Sequence, residues 1–180
     1  MAASPLRSPA AAGVAIAVVA AATVGGALVF EHGFGYVPCM LCLWERWPYY
    51  LGAPLALLAG LLALRGHAAS KLLFVALALL FLGGAVLGAY HAGVEWGFWP
   101  GPTSCAGANA APTSAGGLLA QMKTTRIVPC DRAAWRFLGL SLAGYNALIA
   151  LGLAAVAALA TRRLGRGAPH HRAGSASQRS

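Results

Sequence analysis

Charge is what this chain has least of. Only 9% of its 180 residues are Asp, Glu, Lys or Arg, and just four are acidic: Glu31, Glu45, Glu95 and Asp131. A soluble domain carries about 25% charged residues on average. With 59% hydrophobic residues and a mean hydropathy of +0.69, the composition excludes an ordinary soluble globule and marks an integral membrane protein. The formal charge of +9 comes from thirteen Lys and Arg that form no long run and sit among apolar segments. Nucleic acid is therefore not expected as a partner. No internal repeat is present, and the excess of Ala and Gly carries no function by itself.

Charge is also missing inside four apolar stretches, near Pro9–Phe30, Trp47–Leu64, Leu72–Tyr90 and Phe137–Thr161. A bilayer core takes about 20 apolar residues per helix, and each stretch can satisfy its backbone as a helix without burying a charge. Four transmembrane helices are expected within a single membrane domain over residues 1–161. Arg7 before an Ala-rich run also fits a signal peptide, but the apolar length of about 21 residues exceeds the usual h-region of about 7–15, so a retained helix is expected. With both termini in the cytoplasm, eight Lys and Arg lie inside (Arg7, Arg65, Lys71, Arg162, Arg163, Arg166, Arg172, Arg179) and five outside (Arg46, Lys123, Arg126, Arg132, Arg136). The short basic turn Arg65–Lys71 supports that orientation. It leaves a short outer loop, about 31–46, and a long one, about 91–136, whose middle CAGANAAPTSAGG reads as a flexible segment. The basic tail 162–180 has little to bury and is expected to be disordered and cytoplasmic.

Cysteine is scarce as well, and its placement is informative. Cys39 and Cys42 fall in the short outer loop, Cys105 and Cys130 in the long one, and none falls on the inner face. In an oxidising compartment an even set of this kind suggests two disulfides, with three pairings possible. A Cys105–Cys130 bond would close a sizeable loop, worth about 3 kcal/mol on the chain-entropy model. Cys39 and Cys42 close almost no loop, so a bond between them has little structural return and reads as one to be made and broken. Pro38 and the apolar run that follows suggest that this Cys-x-x-Cys opens the second helix, where free N–H groups favour a thiolate. Arg46, four residues after Cys42, falls on the same helical face, where its cation would lower the thiol pKa or polarise a bound carbonyl. The plainer alternative is that Arg46 snorkels to the interface or pairs with Glu45. Structural zinc is not expected, because Cys105 and Cys130 are 25 positions apart with no flanking His. Leu43 stands where c-type haem attachment would need His.

Three motifs, PCMLCLWER at 38–46, YHAGVEWGFWPGPTSC at 90–105 and VPCDRAAWRFLGLSLAGYN at 128–146, resemble the bacterial disulfide bond formation protein B (DsbB) family along nearly the whole chain. The resemblance implies an all-α antiparallel bundle of four helices in the bacterial inner membrane, with periplasmic cysteine loops. It implies a monomeric protein-disulfide:quinone oxidoreductase with a quinone, ubiquinone rather than menaquinone, near the outer surface, and a DsbA-like thioredoxin-fold oxidase as partner. Cys39 and Cys42 match the quinone-coupled pair, with Cys42 the electron donor, and Arg46 matches the quinone-site Arg. Cys105 and Cys130 match the partner-facing pair, with Cys105 forming the mixed disulfide and a transient Cys39–Cys130 link joining the pairs.

His91 and Glu95, at the outer end of the third helix, are candidate quinone neighbours; an interfacial His satisfied by water is the alternative. Trp44 is a candidate quinone contact, while Trp47, Trp96, Trp99 and Trp135 read as an interfacial belt. Gly139 and Gly144 are expected to let the fourth helix pack closely. The competing reading is a noncatalytic four-helix protein, an assembly factor or transporter subunit, whose disulfides only pin its loops. A family member dedicated to one substrate oxidase is a third.

Overall fold

A computed structural model of the chain describes residues 8–102 and 126–166. Cys105, the centre of the long loop and the tail beyond Arg166 lie outside the described residues. Four helices long and apolar enough to cross a membrane dominate: α1 (Pro9–Leu28, continued by a π-helical turn, Val29–Gly33), α2 (Met40–Leu64), α3 (Ala69–Glu95) and α4 (Leu142–Arg166). Short connections, 34–39 and 65–68, turn α1 into α2 and α2 into α3 as antiparallel neighbours, while a long segment, 96–141, leads from α3 to α4. Helix α1 packs on α2, α2 on α3, α3 on α4, and α4 closes against α1. Large side chains such as Ile16, Phe74, Leu77 and Phe81 fill the centre, while Val18, Leu61, Leu79 and Val86 stay exposed on the rim, as a lipid-facing surface requires.

The helix ends depart from the expected bounds for identifiable local reasons. Helix α2 starts at Met40 rather than near residue 47, because Cys39 caps it: the Cys42 N–H donates to the Cys39 sulfur at 3.2 Å. Helix α3 runs on past Tyr90 to Glu95 and stops at Gly97, φ 74°, where Phe98 N–H bonds Gly93 O and Gly97 N–H bonds Val94 O. That is the Schellman pattern, which needs a residue tolerant of left-handed backbone. Helix α4 begins at Leu142 rather than near residue 137, because Arg136–Phe137 (β3) and Leu140–Ser141 (β4) pair as a hairpin. Its two turn residues, Leu138 and Gly139, have φ of 48° and 84°, the pattern of a type I′ turn. The Ser141 hydroxyl then accepts from Gly144 N–H at 3.2 Å and caps α4. With these bounds Glu45, Arg46 and Glu95 lie inside helices, so the spans are not free of charge as expected.

The close helix contacts are made elsewhere than Gly139 and Gly144. Gly139 occupies the hairpin turn with open space around it, and Gly144 faces Leu140 of its own capping segment. At Gly13, a Cβ would lie 2.5 Å from Ala56 O and 2.8 Å from Gly60 Cα, so the backbones of α1 and α2 touch there. Gly88 of α3 likewise abuts the backbone of Ala147 in α4. Without a hydrophobic drive between helices in lipid, such close approach supplies the packing contacts.

A second device joins the two outer loops. Tyr36–Val37 (β1) and Arg126–Ile127 (β2) form a parallel pair, extended by Val128 N–H to Val37 O at 3.4 Å. This pairing places Cys39 and Cys130 in one buried cluster with Leu41 and Val94.

Overpacking a helix interface costs about 1–3 kcal/mol, and contacts with rigid backbone lie at the upper end. Gly13→Leu is expected to destabilise the folded protein by at least that much in a detergent–denaturant titration. Unchanged stability would show that α1 and α2 do not meet at this point.

Candidate functional site

The first two turns of α2 present Cys42, Glu45, Arg46 and Tyr49 at i, i+3, i+4 and i+7, one face of a helix. All four line a cavity of about 330 Å³ between α1, α2, α3 and α4. His91 and Glu95 enter it from α3, Asn146 from α4, and Phe30 and Glu31 from the end of α1. The surrounding wall is mostly apolar, with Ala27, Ala143 and Ile149 among its members.

Cys39 Sγ and Cys42 Sγ stand 2.8 Å apart as free thiols. A disulfide is about 2.05 Å long, so the pair is unbonded yet already close. The Cys39, Cys42 and His91 donor atoms lie within 4.8 Å of one another. Two thiolates on one tetrahedral zinc, with bonds of about 2.3 Å, sit about 3.8 Å apart. The observed spacing therefore suits a sulfur–sulfur bond better than a shared metal.

Cys39 is fully buried, and His91 Nε2 approaches its sulfur at 3.7 Å. On the far side of the ring, His91 Nδ1 donates to Glu45 Oε1 at 2.7 Å. The other Glu45 oxygen accepts from Asn146 Nδ2 at 2.9 Å, and Asn146 Oδ1 accepts in turn from the Tyr49 hydroxyl. A sulfur, an imidazole, a carboxylate, an amide and a phenol thus form one chain across three helices. The hydrogen bond from the Cys42 thiol is the main cause that pushes the Cys39 thiol down to about 5. His91 adds to that effect, and burial opposes it.

Arg46 pairs through Nη1 with Glu31 rather than with Glu45. Glu31 reaches it from the π-helical turn, the only charged residue that α1 and its extension contribute. Glu95 Oε2 is the one buried side-chain oxygen among the described residues without a partner. Arg136 Nη2 donates to the Glu95 backbone carbonyl at 3.2 Å.

Two expectations are corrected here. Trp44 does not line this cavity; it is 56% exposed and borders a lipid-facing groove with Trp47 and Leu79, because it projects from the opposite face of α2. Trp135, expected only in the belt, does line the cavity and stacks on Phe137 with ring centroids 5.6 Å apart. The structure brings Cys39, Cys42, Arg46, His91 and Glu95 together at one end of the bundle. Cys130 is disulfide-bonded, and Cys105 lies outside the described residues. Glu31, Glu45, Tyr49 and Asn146 were not singled out from the sequence. The helical spacing of Glu45 and Tyr49 from Cys42 was the signal available for two of them.

The described residues fit a ring-sized group with polar edges. The cavity volume is at the small end of ligand pockets, about 300–1,000 Å³. Its wall is apolar, and a thiol, a guanidinium and an unpartnered carboxyl oxygen open on it.

A thiolate absorbs near 240 nm where a thiol does not. With the Cys130 disulfide intact and the Cys39–Cys42 pair reduced, this absorbance is expected to persist at neutral pH and to be lost as pH falls through about 5, the depressed Cys39 value. A transition in the ordinary thiol range, about 8–9, would show that the surrounding groups do not hold Cys39 as a thiolate.

A family model described as disulfide bond formation protein DsbB matches residues 9–160. The chain is also 27% identical over 138 residues to Uncharacterized protein RP370 of Rickettsia prowazekii (strain Madrid E), covering 76% of each chain. No solved structure matches.

Proposed function

The chain belongs to the DsbB family of multi-pass membrane oxidoreductases of disulfide formation, and on that premise we propose that it is a protein-disulfide:quinone oxidoreductase. Its thiol substrate is a periplasmic DsbA-like oxidase, and its setting is the bacterial inner membrane with both termini cytoplasmic. One observation carries the reading. Cys42 opens on an apolar, membrane-embedded cavity beside Arg46, while Cys39, 2.8 Å away, shares a buried cluster with disulfide-bonded Cys130.

The chemistry is a series of thiol–disulfide exchanges, each a thiolate attacking a disulfide sulfur. The partner's thiolate attacks Cys105, the Cys105–Cys130 bond breaks, and Cys130 leaves as a thiolate. The partner's second thiolate then displaces Cys105, and the partner departs as a disulfide. Cys130 attacks Cys39 of an oxidised Cys39–Cys42 pair, releasing the Cys42 thiolate. Attack by Cys105 on Cys130 restores the loop disulfide and releases Cys39, so two electrons now rest on the Cys39–Cys42 pair. A bound quinone would supply the two-electron, two-proton acceptor that returns this pair to a disulfide.

The chain's own residues prepare that last event. Cys42 faces the cavity, and the Arg46 guanidinium offers a fixed positive charge to a carbonyl oxygen bound there. Glu31 orients Arg46 and balances its charge within the membrane boundary. His91 lies on the Cys39 side, where it can hold the proton that Cys39 gives up, with Glu45 fixing the ring. Apolar walls keep water from the thiolate.

The test is quinone absorbance on mixing the purified protein with a reduced DsbA-like protein, using a ubiquinone and a menaquinone analogue. Quinone is expected to be consumed by the wild type and not by Cys42→Ser, in which the Cys130 disulfide still forms. Normal turnover by Cys42→Ser would remove Cys42 from the assigned role, and no consumption of either quinone by the wild type would favour a structural protein with pinned loops. Arg46→Ala is expected to raise the KM for quinone about 10-fold or more, the range of a lost hydrogen bond to a charged group. An unchanged KM would leave Arg46 as a partner of Glu31 alone.

A further inference from the structure

Asn146 is a polar side chain on α4, a helix that contributes no sulfur and no charge to the cavity. Its amide nonetheless makes two directed contacts across the helix interface. Nδ2 donates to Glu45 Oε2 at 2.9 Å, and Oδ1 accepts from the Tyr49 hydroxyl, which also reaches the Asn146 carbonyl oxygen at 3.3 Å. Tyr49 is 2% exposed and its ring lies 5.7 Å from that of Phe81, so the phenol is held in place by the core. The amide is therefore fixed from one side and fixes the carboxylate on the other.

The consequence passes along the chain of contacts. A Glu45 carboxylate with both oxygens engaged cannot turn away from His91. His91 Nδ1–H then stays on Oε1 at 2.7 Å, and Nε2 stays toward Cys39 Sγ at 3.7 Å. This is the logic by which the acidic member of a nucleophile–histidine–acid triad holds the ring in one tautomer and orientation. We propose that Asn146, anchored by Tyr49, is a positioning residue that fixes Glu45 so that His91 keeps Cys39 in its reactive, deprotonated form. The inference rests on the oxidoreductase reading for its rate effects, but not for its effect on the Cys39 titration.

The proton step balances simply. Cys39 S–H gives its proton to His91 Nε2, leaving a thiolate on Cys39 and an imidazolium whose Nδ1–H remains on Glu45. Other titratable groups also face this chain. Cys42 and Tyr49 come from α2, Glu95 from α3, the Glu31–Arg46 pair from α1 and α2, and Arg136 bonds the Glu95 carbonyl from the hairpin. Among the described residues, none of these groups hydrogen-bonds Glu45 Oε2; that oxygen is held by Asn146.

The full-length protein is studied in detergent with the Cys130 disulfide intact and the Cys39–Cys42 pair reduced. Wild type, Asn146→Leu, Asn146→Gln and Tyr49→Phe are compared by thiolate absorbance against pH and by the pH profile of quinone reduction. Asn146→Leu is expected to move the Cys39 midpoint up by about one pH unit, tenfold less thiolate at a fixed acidic pH. Its rate loss should approach about tenfold below the wild-type midpoint, near pH 4, and shrink to about twofold by pH 6. Asn146→Gln, which keeps the amide, should restore much of the midpoint, and Tyr49→Phe should shift it less, in the same direction.

A folded Asn146→Leu protein with an unmoved midpoint would overturn the proposal. So would a rate loss equal at every pH, which is the behaviour of a purely structural clamp. If Asn146→Leu does not fold, Tyr49→Phe decides, since it removes one oxygen and no packing, and an unmoved midpoint there has the same meaning. Failure of the wild type to reduce any quinone would instead overturn the oxidoreductase reading, and the midpoint shift would still judge Asn146.

Discussion

A carboxylate buried in the second turn of a membrane helix is the constraint around which this end of the bundle is arranged. Glu45 is 7% exposed, and an ionisable group at that depth is tolerated only when it is paired and hydrogen-bonded. Its two oxygens call for donors from two directions, and α3 and α4 each supply one, His91 and Asn146. The crossing of three helices is thereby tied to a single side chain. The same carboxylate aligns the imidazole that faces Cys39, so satisfying a buried charge and preparing a sulfur are one act of the structure. Replacing the cluster with apolar residues could pack as well, but would leave the thiols without a nearby proton acceptor.

The Cys39–Cys42 pair and Cys130 sit in different mechanical settings, and the difference follows from where the chain fixes them. Cys39 caps α2 and Cys42 lies in its first turn, so their separation of 2.8 Å is set by helix geometry. Cys130 belongs to a loop that, among the described residues, is joined to the first loop by the short parallel pairing of Tyr36–Val37 with Arg126–Ile127 and the Val128–Val37 bond that extends it. That pairing brings Cys130 into the buried cluster around Cys39. The helix-borne Cys39–Cys42 pair thus stands next to the cavity with Cys130 of the following loop beside it.

The number of spans and the opening of α2 at the Cys-x-x-Cys were legible in the sequence because apolar length and motif spacing are local properties. The helix ends were less so. Reading α3 as ending at Tyr90 stopped it where hydropathy falls, whereas the chain stops it at Gly97, a backbone signal. Reading α4 from Phe137 missed that Leu138 and Gly139 make a hairpin turn, since a leucine with positive φ has no sequence signature. Arg46 was legible as a residue of the Cys42 face, but its partner was not, because Glu31 reaches it only through a π-helical turn that shifts the register of α1. Asn146 stands in the motif at 128–146, but its meaning depends on two residues about a hundred positions earlier in the chain. Trp44 and Trp135 exchanged places for a plainer reason: one is on the wrong face of a helix and the other follows a loop whose path the sequence does not state.

Charge accounting links the redox state of the pair to a proton. As a thiolate, Cys39 adds one negative charge to a pocket in which Glu31 is balanced by Arg46 and Glu45 is already committed to His91 and Asn146. Among the described residues, the group placed to balance that extra charge is His91, which touches both Cys39 and Glu45. Forming the Cys39–Cys42 bond removes the charge from Cys39, so a proton held on His91 loses one of its two anionic neighbours at the same moment. In a low-dielectric site such neighbours interact strongly, and the electrons cannot leave the sulfurs without changing what holds the proton. A fixed imidazole between a sulfur and a carboxylate therefore ties the redox state of the pair to the proton held on the ring.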